Sequence, residues 1–239
     1  MITVSIDVRM ISHQHKTLFV HIPKCGGQSI ENIYLSDLRL GRKDKSQLLL
    51  RKRKHGEQGP PKLGHLIAMD YTGLGYIEPH LFNSYYRFSV VRNPFDRLYS
   101  AYAYLGFRDL VRFDYFVDEI AANSLERRDS WFWFLRPQTD FIMDADGRLL
   151  VDEFFRLENL SSSIDMVFAR SQLSVKELRH LNKVGSISPT SRFVRALKIA
   201  LRGQIPIGEL LAKRNAACSS RIKNRIEQLY GADYEHLGY

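Results

Sequence analysis

The run His21-Ile22-Pro23-Lys24-Cys25-Gly26-Gly27-Gln28-Ser29 constrains this chain more than any other, because two different hydrophobic periodicities meet across it. Before it, Thr17 to Ile22 is a short apolar run rich in β-forming residues. After it, Ile30, Ile33 and Tyr34 recur at helical spacing. The pattern predicts a strand, a tight loop and a helix. Such a junction turns several backbone N–H groups toward one point and makes an anion cradle. The glycine pair permits positive φ and close backbone approach, Lys24 adds a mobile positive charge, and Ser29 adds a hydroxyl at the helix start. A Walker A loop places its Lys-Ser/Thr pair after the second glycine, whereas Lys24 precedes both, which argues against an ordinary ATPase or kinase loop. A plain strand-to-helix turn with a surface lysine fits the same residues, so one loop does not decide the matter.

A second element adds to it. Tyr86 to Val91 reads as a strand, and Asn93-Pro94 supplies a helix cap and first-turn proline, with Asp96 three residues after the cap. The spacing of Phe95, Leu98, Tyr99 and Tyr102 predicts the packed face of that helix, leaving Asn93, Asp96, Arg97 and Ser100 outward. Arg92 at the strand end and Ser100 two turns into the helix suit a terminal phosphate monoester, one as a planar fork and the other as a hydroxyl donor. The plainer reading is a helix cap with a surface ion pair.

Elsewhere the chain alternates strand and helix early and turns mainly helical late, which predicts a layered α/β fold in one domain over residues 1–239. Residues 38–62 are basic and polar, with Arg51-Lys52-Arg53-Lys54 and Gly59-Pro60-Pro61, and read as an exposed excursion. Phe141 to Met143 and Leu149 to Phe155 flank Asp146-Gly147 as a hairpin. Trp131 to Phe134 reads as core. Ile222, Ile226, Leu229 and Tyr230 mark a last amphipathic helix that Gly231 ends. The formal charge of +9 favours an anionic partner. Asp7, Arg9, His13, His15 and Lys16 interrupt every early apolar run, so neither a secretory signal nor a membrane anchor is expected there. Cys25 and Cys218 are the two cysteines, without metal-type spacing, and a reducing cytoplasm is the expected setting.

Together, Phe19-Val20-His21-Ile22-Pro23-Lys24-Cys25-Gly26-Gly27 and Phe88-Ser89-Val90-Val91-Arg92-Asn93-Pro94-Phe95-Asp96-Arg97-Leu98-Tyr99-Ser100 resemble the two signatures of sulfotransferases that use 3′-phosphoadenosine 5′-phosphosulfate (PAPS). The likeness is to the carbohydrate branch, of heparan and chondroitin type. Gln28 stands where a threonine is commoner. Gly64-His65, Gln138-Thr139-Asp140-Phe141 through Asp146-Gly147, and Val151-Asp152 through Arg156-Leu157-Glu158-Asn159-Leu160 look like later landmarks of that family. His180-Leu181-Asn182-Lys183 is similar to a segment that closes over the nucleotide, with Val184 replacing the usual hydroxyl residue.

The resemblance implies a P-loop-like three-layer α/β sandwich, its central parallel sheet flanked by helices, with a mainly helical C-terminal part and the nucleotide across the carboxyl ends of the strands. It implies PAPS as co-substrate, 3′,5′-adenosine bisphosphate (PAP) as product, no metal, and a carbohydrate or glycoconjugate acceptor, including anionic ones. Lys24, Cys25, Gly26, Gly27, Gln28 and Ser29 would hold the 5′-phosphosulfate, Arg92 and Ser100 the 3′-phosphate, and Lys183 would contact the cofactor. Lys24 and His65 would be catalytic, with His80 and Glu78 as reserve bases, since an imidazole titrates near neutrality. Eukaryotic relatives of this branch are Golgi-anchored, so the expectation is a bacterial protein or a trimmed form. Two other classes compete. One is an atypical nucleotide kinase, which would need magnesium and bind ATP; the other is a nucleic-acid binder using the basic charge, for which no recognition helix or RNA motif is present.

Overall fold

The computed structural model describes residues 10–41, 48–174, 191, 194 and 220–239. Lys183, with the segment around it, and Cys218 lie outside the described residues. In chain order the elements are β1 (Ile11–Ser12), β2 (Thr17–Val20), α1 (Gly27–Asp37), α2 (Ala68–Gly73), α3 (Pro79–Ser84), β3 (Tyr86–Val91) and α4 (Pro94–Leu105). There follow α5 (Phe113–Tyr115), a π-helical turn (Phe116–Ala121), α6 (Ala122–Arg127), α7 (Phe132–Leu135), α8 (Thr139–Ile142), β4 (Glu153–Arg156), α9 (Leu160–Arg170), α10 (Ser220–Leu229) and α11 (Gly231–Leu237). The chain divides into two compact units, Met1–Val91 with Gln138–Leu181, and Arg92–Pro137 with Asn182–Tyr239.

The first unit holds the sheet, in the order β1-β2-β3-β4. β2, β3 and β4 run parallel and β1 adds an antiparallel edge that the sequence pattern did not announce. All of β2 is buried, and so are the last four residues of β3, as a sheet covered on both faces requires. Ser89 is polar within that run, and its hydroxyl donates to the Val20 carbonyl at 2.7 Å, which satisfies it across the strand pair. The pairing Val20↔Ser89 and Val91↔Arg156 brings the carboxyl ends of the parallel strands to one edge. α1 buries Gly27, Ile30, Glu31, Ile33, Tyr34 and Leu35, the expected apolar face plus one carboxylate. The unit is thus a mixed α/β assembly with helices beside a mostly parallel sheet.

One expectation needs correction in this unit. Phe141 and Ile142 close the helix α8 instead of a strand, and the hairpin is shortened to the antiparallel bridge of Met143 with Leu149, flanked by Leu150 N–H donating to Ile142 O at 2.7 Å and Asp144 N–H to Arg148 O at 3.0 Å. Asp144 tightens the turn between them: its Oδ1 accepts the N–H groups of Asp146 at 3.0 Å and Arg148 at 2.8 Å, and Gly147 turns at φ 77°. The described part of the basic stretch is exposed from Lys52 to Gly56, as expected, and is tied down at several points. Lys52 bridges Lys62, the Tyr76 hydroxyl donates to the Gln58 carbonyl at 2.8 Å, and Arg51 forks onto Glu57 at 2.6 and 2.7 Å. The Arg51 bonds, with the Lys54 N–H, hold the Glu57 carboxyl down to about 2.

In the second unit α4 begins where the sequence placed it, with Asn93 Oδ1 accepting from the N–H groups of Phe95 at 3.0 Å and Asp96 at 3.4 Å. Its packed face is rotated from the one expected. Arg97, Leu98, Ser100, Ala101, Tyr102 and Leu105 are buried, whereas Tyr99 is 44% exposed. The reason is Arg97, whose guanidinium donates to the carbonyls of Arg136 at 2.9 Å and Phe134 at 3.1 Å and so caps the end of α7, allowing a charge onto the inward stripe. Around that stripe gather Phe107, Phe116, Val117, Phe134, Leu135, Ile222, Ile226 and Tyr230. Trp131 and Trp133 pack against this core in part, while the guanidiniums of Arg128 and Arg136 each lie over the Phe132 ring. Gly231 opens α11 instead of ending the chain's last helix; the break falls at Tyr230, whose hydroxyl donates to Leu135 O at 2.8 Å.

Candidate anion-binding site

Past the last residue of β2 the backbone makes two left-handed excursions, at Lys24 with φ 70° and at Gly26 with φ 77°. The glycine adopts this without strain; the lysine does not, and a strained non-glycine residue held by its surroundings marks a place where backbone direction matters. The two glycines have different reasons. At Gly26 the left-handed turn forms the cap of α1, and an added Cβ would meet Leu157 at 2.5 Å. At Gly27 an added Cβ would fall 2.2 Å from the ring of His21, so the imidazole occupies the space a side chain would need.

The loop's N–H groups divide in two. Cys25 N–H donates to Ile22 O at 3.4 Å and Ser29 N–H to Gly26 O at 3.0 Å, so Ser29 offers its hydroxyl more readily than its amide. Among the described residues no backbone carbonyl accepts from Gly26 or Gly27, and these two amides open the helix. Successive N–H groups at a left-handed turn before an 11-residue helix form the concave donor set that holds a phosphate or sulfate. Lys24 and Ser29 are partly exposed beside it and Gln28 is exposed. Cys25 is fully buried, with Sγ donating to Gln138 Oε1 at 3.2 Å, so its side chain packs inside the unit.

His65 reaches the same loop. It ends a short 3-10 turn, Leu63–His65, and its Nδ1 lies 3.0 Å from the His21 carbonyl. Donation to a carbonyl fixes the tautomer with the lone pair on Nε2, the form a base requires. The ring meets the His21 ring edge-on at 4.5 Å between centroids. Of the reserve bases, Glu78 precedes α3 and His80 is its second residue, and both are exposed. In the second unit, Arg92 is half-buried one residue past β3, and Ser100 is 7% exposed on α4, on its packed side and not outward as the spacing had implied.

The pair His21–Glu31 was not singled out from the sequence. His21 Nδ1 and Glu31 Oε1 stand 2.6 Å apart, both buried. A signal for it existed: Glu31 falls four residues after Gly27 and three before Tyr34, on the buried stripe of α1, and a carboxylate there demands a partner.

A mostly parallel sheet whose strand feeds a left-handed glycine turn and a helix N-terminus defines an α/β protein with a backbone arrangement suited to an anionic group at the strand ends. The family is then given by comparison. The model described as "Sulfotransferase family" matches residues 9–239, and the chain belongs to that family. Sulfuryl transfer from PAPS follows from that membership as its general activity. No curated protein and no solved structure matches the chain. Among the described residues, no helix is long and apolar enough to cross a membrane, and no group of three or more His, Cys, Asp or Glu is placed to hold a metal ion.

Proposed function

We propose that the chain moves the sulfuryl group of PAPS onto a hydroxyl of a carbohydrate acceptor by in-line displacement. The observation that carries this reading is the unengaged pair of glycine amides opening α1, beside Lys24 and within a unit where His65 is bonded to the same loop. The amides of Gly26 and Gly27, together with Lys24, Cys25, Gln28 and Ser29, hold the 5′-phosphosulfate. Arg92 and Ser100 recognise the 3′-phosphate. Both units serve as one catalytic domain, in keeping with a family match that runs through both.

As the acceptor hydroxyl attacks sulfur, the bond from sulfur to the bridging oxygen breaks and charge builds on the departing 5′-phosphate. Lys24 stabilises that charge. His65 takes the acceptor proton on Nε2. PAPS would supply the activated sulfate and leave as PAP.

Incubation with PAPS and a panel of desulfated heparan and chondroitin oligosaccharides, read as PAP release and saccharide sulfation, tests the proposal. Lys24→Ala should lower turnover far more than PAP binding; a variant with intact turnover would refute the assigned role.

A further inference from the structure

The described residues hold two buried carboxylate–imidazole pairs. One, His15 with Asp37, ties the β1–β2 turn to the end of α1, away from the loop: His15 Nε2 is 2.7 Å from Asp37 Oδ2, Ser12 Oγ 2.6 Å from His15 Nδ1. The other, His21 with Glu31, sits inside the anion-binding loop and has no part in the transfer steps. Its geometry is directional. Gly27 and Glu31 are four residues apart and therefore share one face of α1. The ring of His21 lies over Gly27, in the space a Cβ would take, while its Nδ1 reaches Glu31 Oε1 at 2.6 Å. The same residue's carbonyl accepts from His65 Nδ1 at 3.0 Å, and its ring packs against Phe19 and His65 at 5.6 and 4.5 Å between centroids.

One residue therefore touches the helix start, the strand and the histidine assigned as base. A carboxylate buried to 7% exposure stays in place only with a partner, and here that partner is the imidazole. Without Glu31 the ring of His21 is free to leave the space over Gly27, and a backbone shift at His21 that follows would move the carbonyl that accepts from His65 Nδ1.

We propose that Glu31 and His21 are positioning residues of the sulfuryl-transfer site: Glu31 locks the His21 ring over Gly27, and the His21 carbonyl thereby fixes His65 in the tautomer and direction that accept the acceptor proton. Neither residue touches PAPS or the acceptor. The inference rests on the assignment of His65 as base, and its test must separate the two.

Glu31→Gln keeps the shape of the side chain and removes its charge; Glu31→Asp keeps the charge one methylene short. Three readouts apply: the thermal shift given by PAP, PAP release from PAPS with the oligosaccharide panel, and the long-range 1H–15N spectrum of the imidazoles. The account expects Glu31→Gln to retain the PAP shift, to lower release about tenfold, a part of the 10²–10⁴ that a general base supplies, and to give His65 a mixture of ring tautomers. Glu31→Asp should recover part of the rate and most of the Nδ1–H form. In a His65→Gln background Glu31→Gln should cause no further loss. A Glu31→Gln protein with the wild-type rate and a single His65 tautomer would overturn the inference. So would loss of the PAP shift together with activity in Glu31→Gln and Glu31→Asp alike, which is what a purely structural pair would give, or a loss that multiplies with that of His65→Gln. Wild-type release by His65→Gln alone would instead sink the base assignment, while the tautomer spectrum still reports on the pair.

Discussion

Lys24 and Gly26 stand two residues apart in the loop and both adopt left-handed backbone, at φ 70° and 77°. For the glycine this is free of strain; for the lysine it costs about 1–2 kcal/mol. Function and stability therefore oppose each other at Lys24. Lys24→Gly and Lys24→Ala should both lose turnover, yet the glycine variant should be the more stable of the two by about 1 kcal/mol in urea unfolding. Equal stability would remove the argument from strain.

Cys25, the residue between them, donates its thiol to Gln138 Oε1 at 3.2 Å with both residues fully buried. Cys25→Ala withdraws that donor and leaves a small void, lowering stability by about 1–2 kcal/mol. Cys25→Ser keeps a donor and should fall between the two. Denaturant midpoints give the order directly.

Arg97 should be the least replaceable residue of α4. Its guanidinium is 4% exposed and satisfies two carbonyls at the end of α7. Arg97→Met keeps the stem but strands both acceptors, and the loss should be about 3 kcal/mol. A loss under half a kcal/mol, roughly the value of an ordinary surface change, would mean those bonds are not made.

The ion pair of Arg87 with Asp152 gives a pH dependence of defined sign. Burial works to raise the Asp152 carboxyl, but bonds from the Arg87 side chain and N–H outweigh it and leave the group below its ordinary value. A lowered carboxyl contributes stability above its unfolded value, and that contribution disappears as pH falls through the folded value. Because the Asp152 side chain is 40% exposed, screening keeps the contribution to about 1 kcal/mol at most. Asp152→Asn should thus be less stable than wild type at neutral pH, with the two converging in acid. A gap that widens in acid would contradict the pairing.

Much of this fold is legible in the residues, and the failures have two causes. β3 occupies Tyr86–Val91 as the pattern implies, and α4 starts at Pro94 because Asn93 and Pro94 act locally. Most of what escaped depends on partners distant in sequence. Arg97 reads as outward until the carbonyls of Phe134 and Arg136 are known, and this shifts the whole packed face and takes Ser100 with it. Phe141 and Ile142 look like strand because apolar runs of that length do not distinguish strand from short helix. In the site, Lys24 and the glycines carry local signals, whereas His65 was marked by the family resemblance at Gly64-His65. Glu31 carried one too, a charge on an apolar stripe, but its meaning depends on His21 ten residues earlier.

The central claim is that one loop and one strand end hold a doubly phosphorylated adenosine, and nucleotide discrimination by thermal shift tests it most directly. A ligand that binds only the folded state raises the unfolding temperature, by an amount set by its concentration over its Kd. PAP should give a marked upward shift, with 5′-AMP and ATP giving little, and Arg92→Ala should erase the difference between PAP and 5′-AMP. A shift from ATP equal to or larger than that from PAP, or an Arg92→Ala protein that still prefers PAP, would contradict the account.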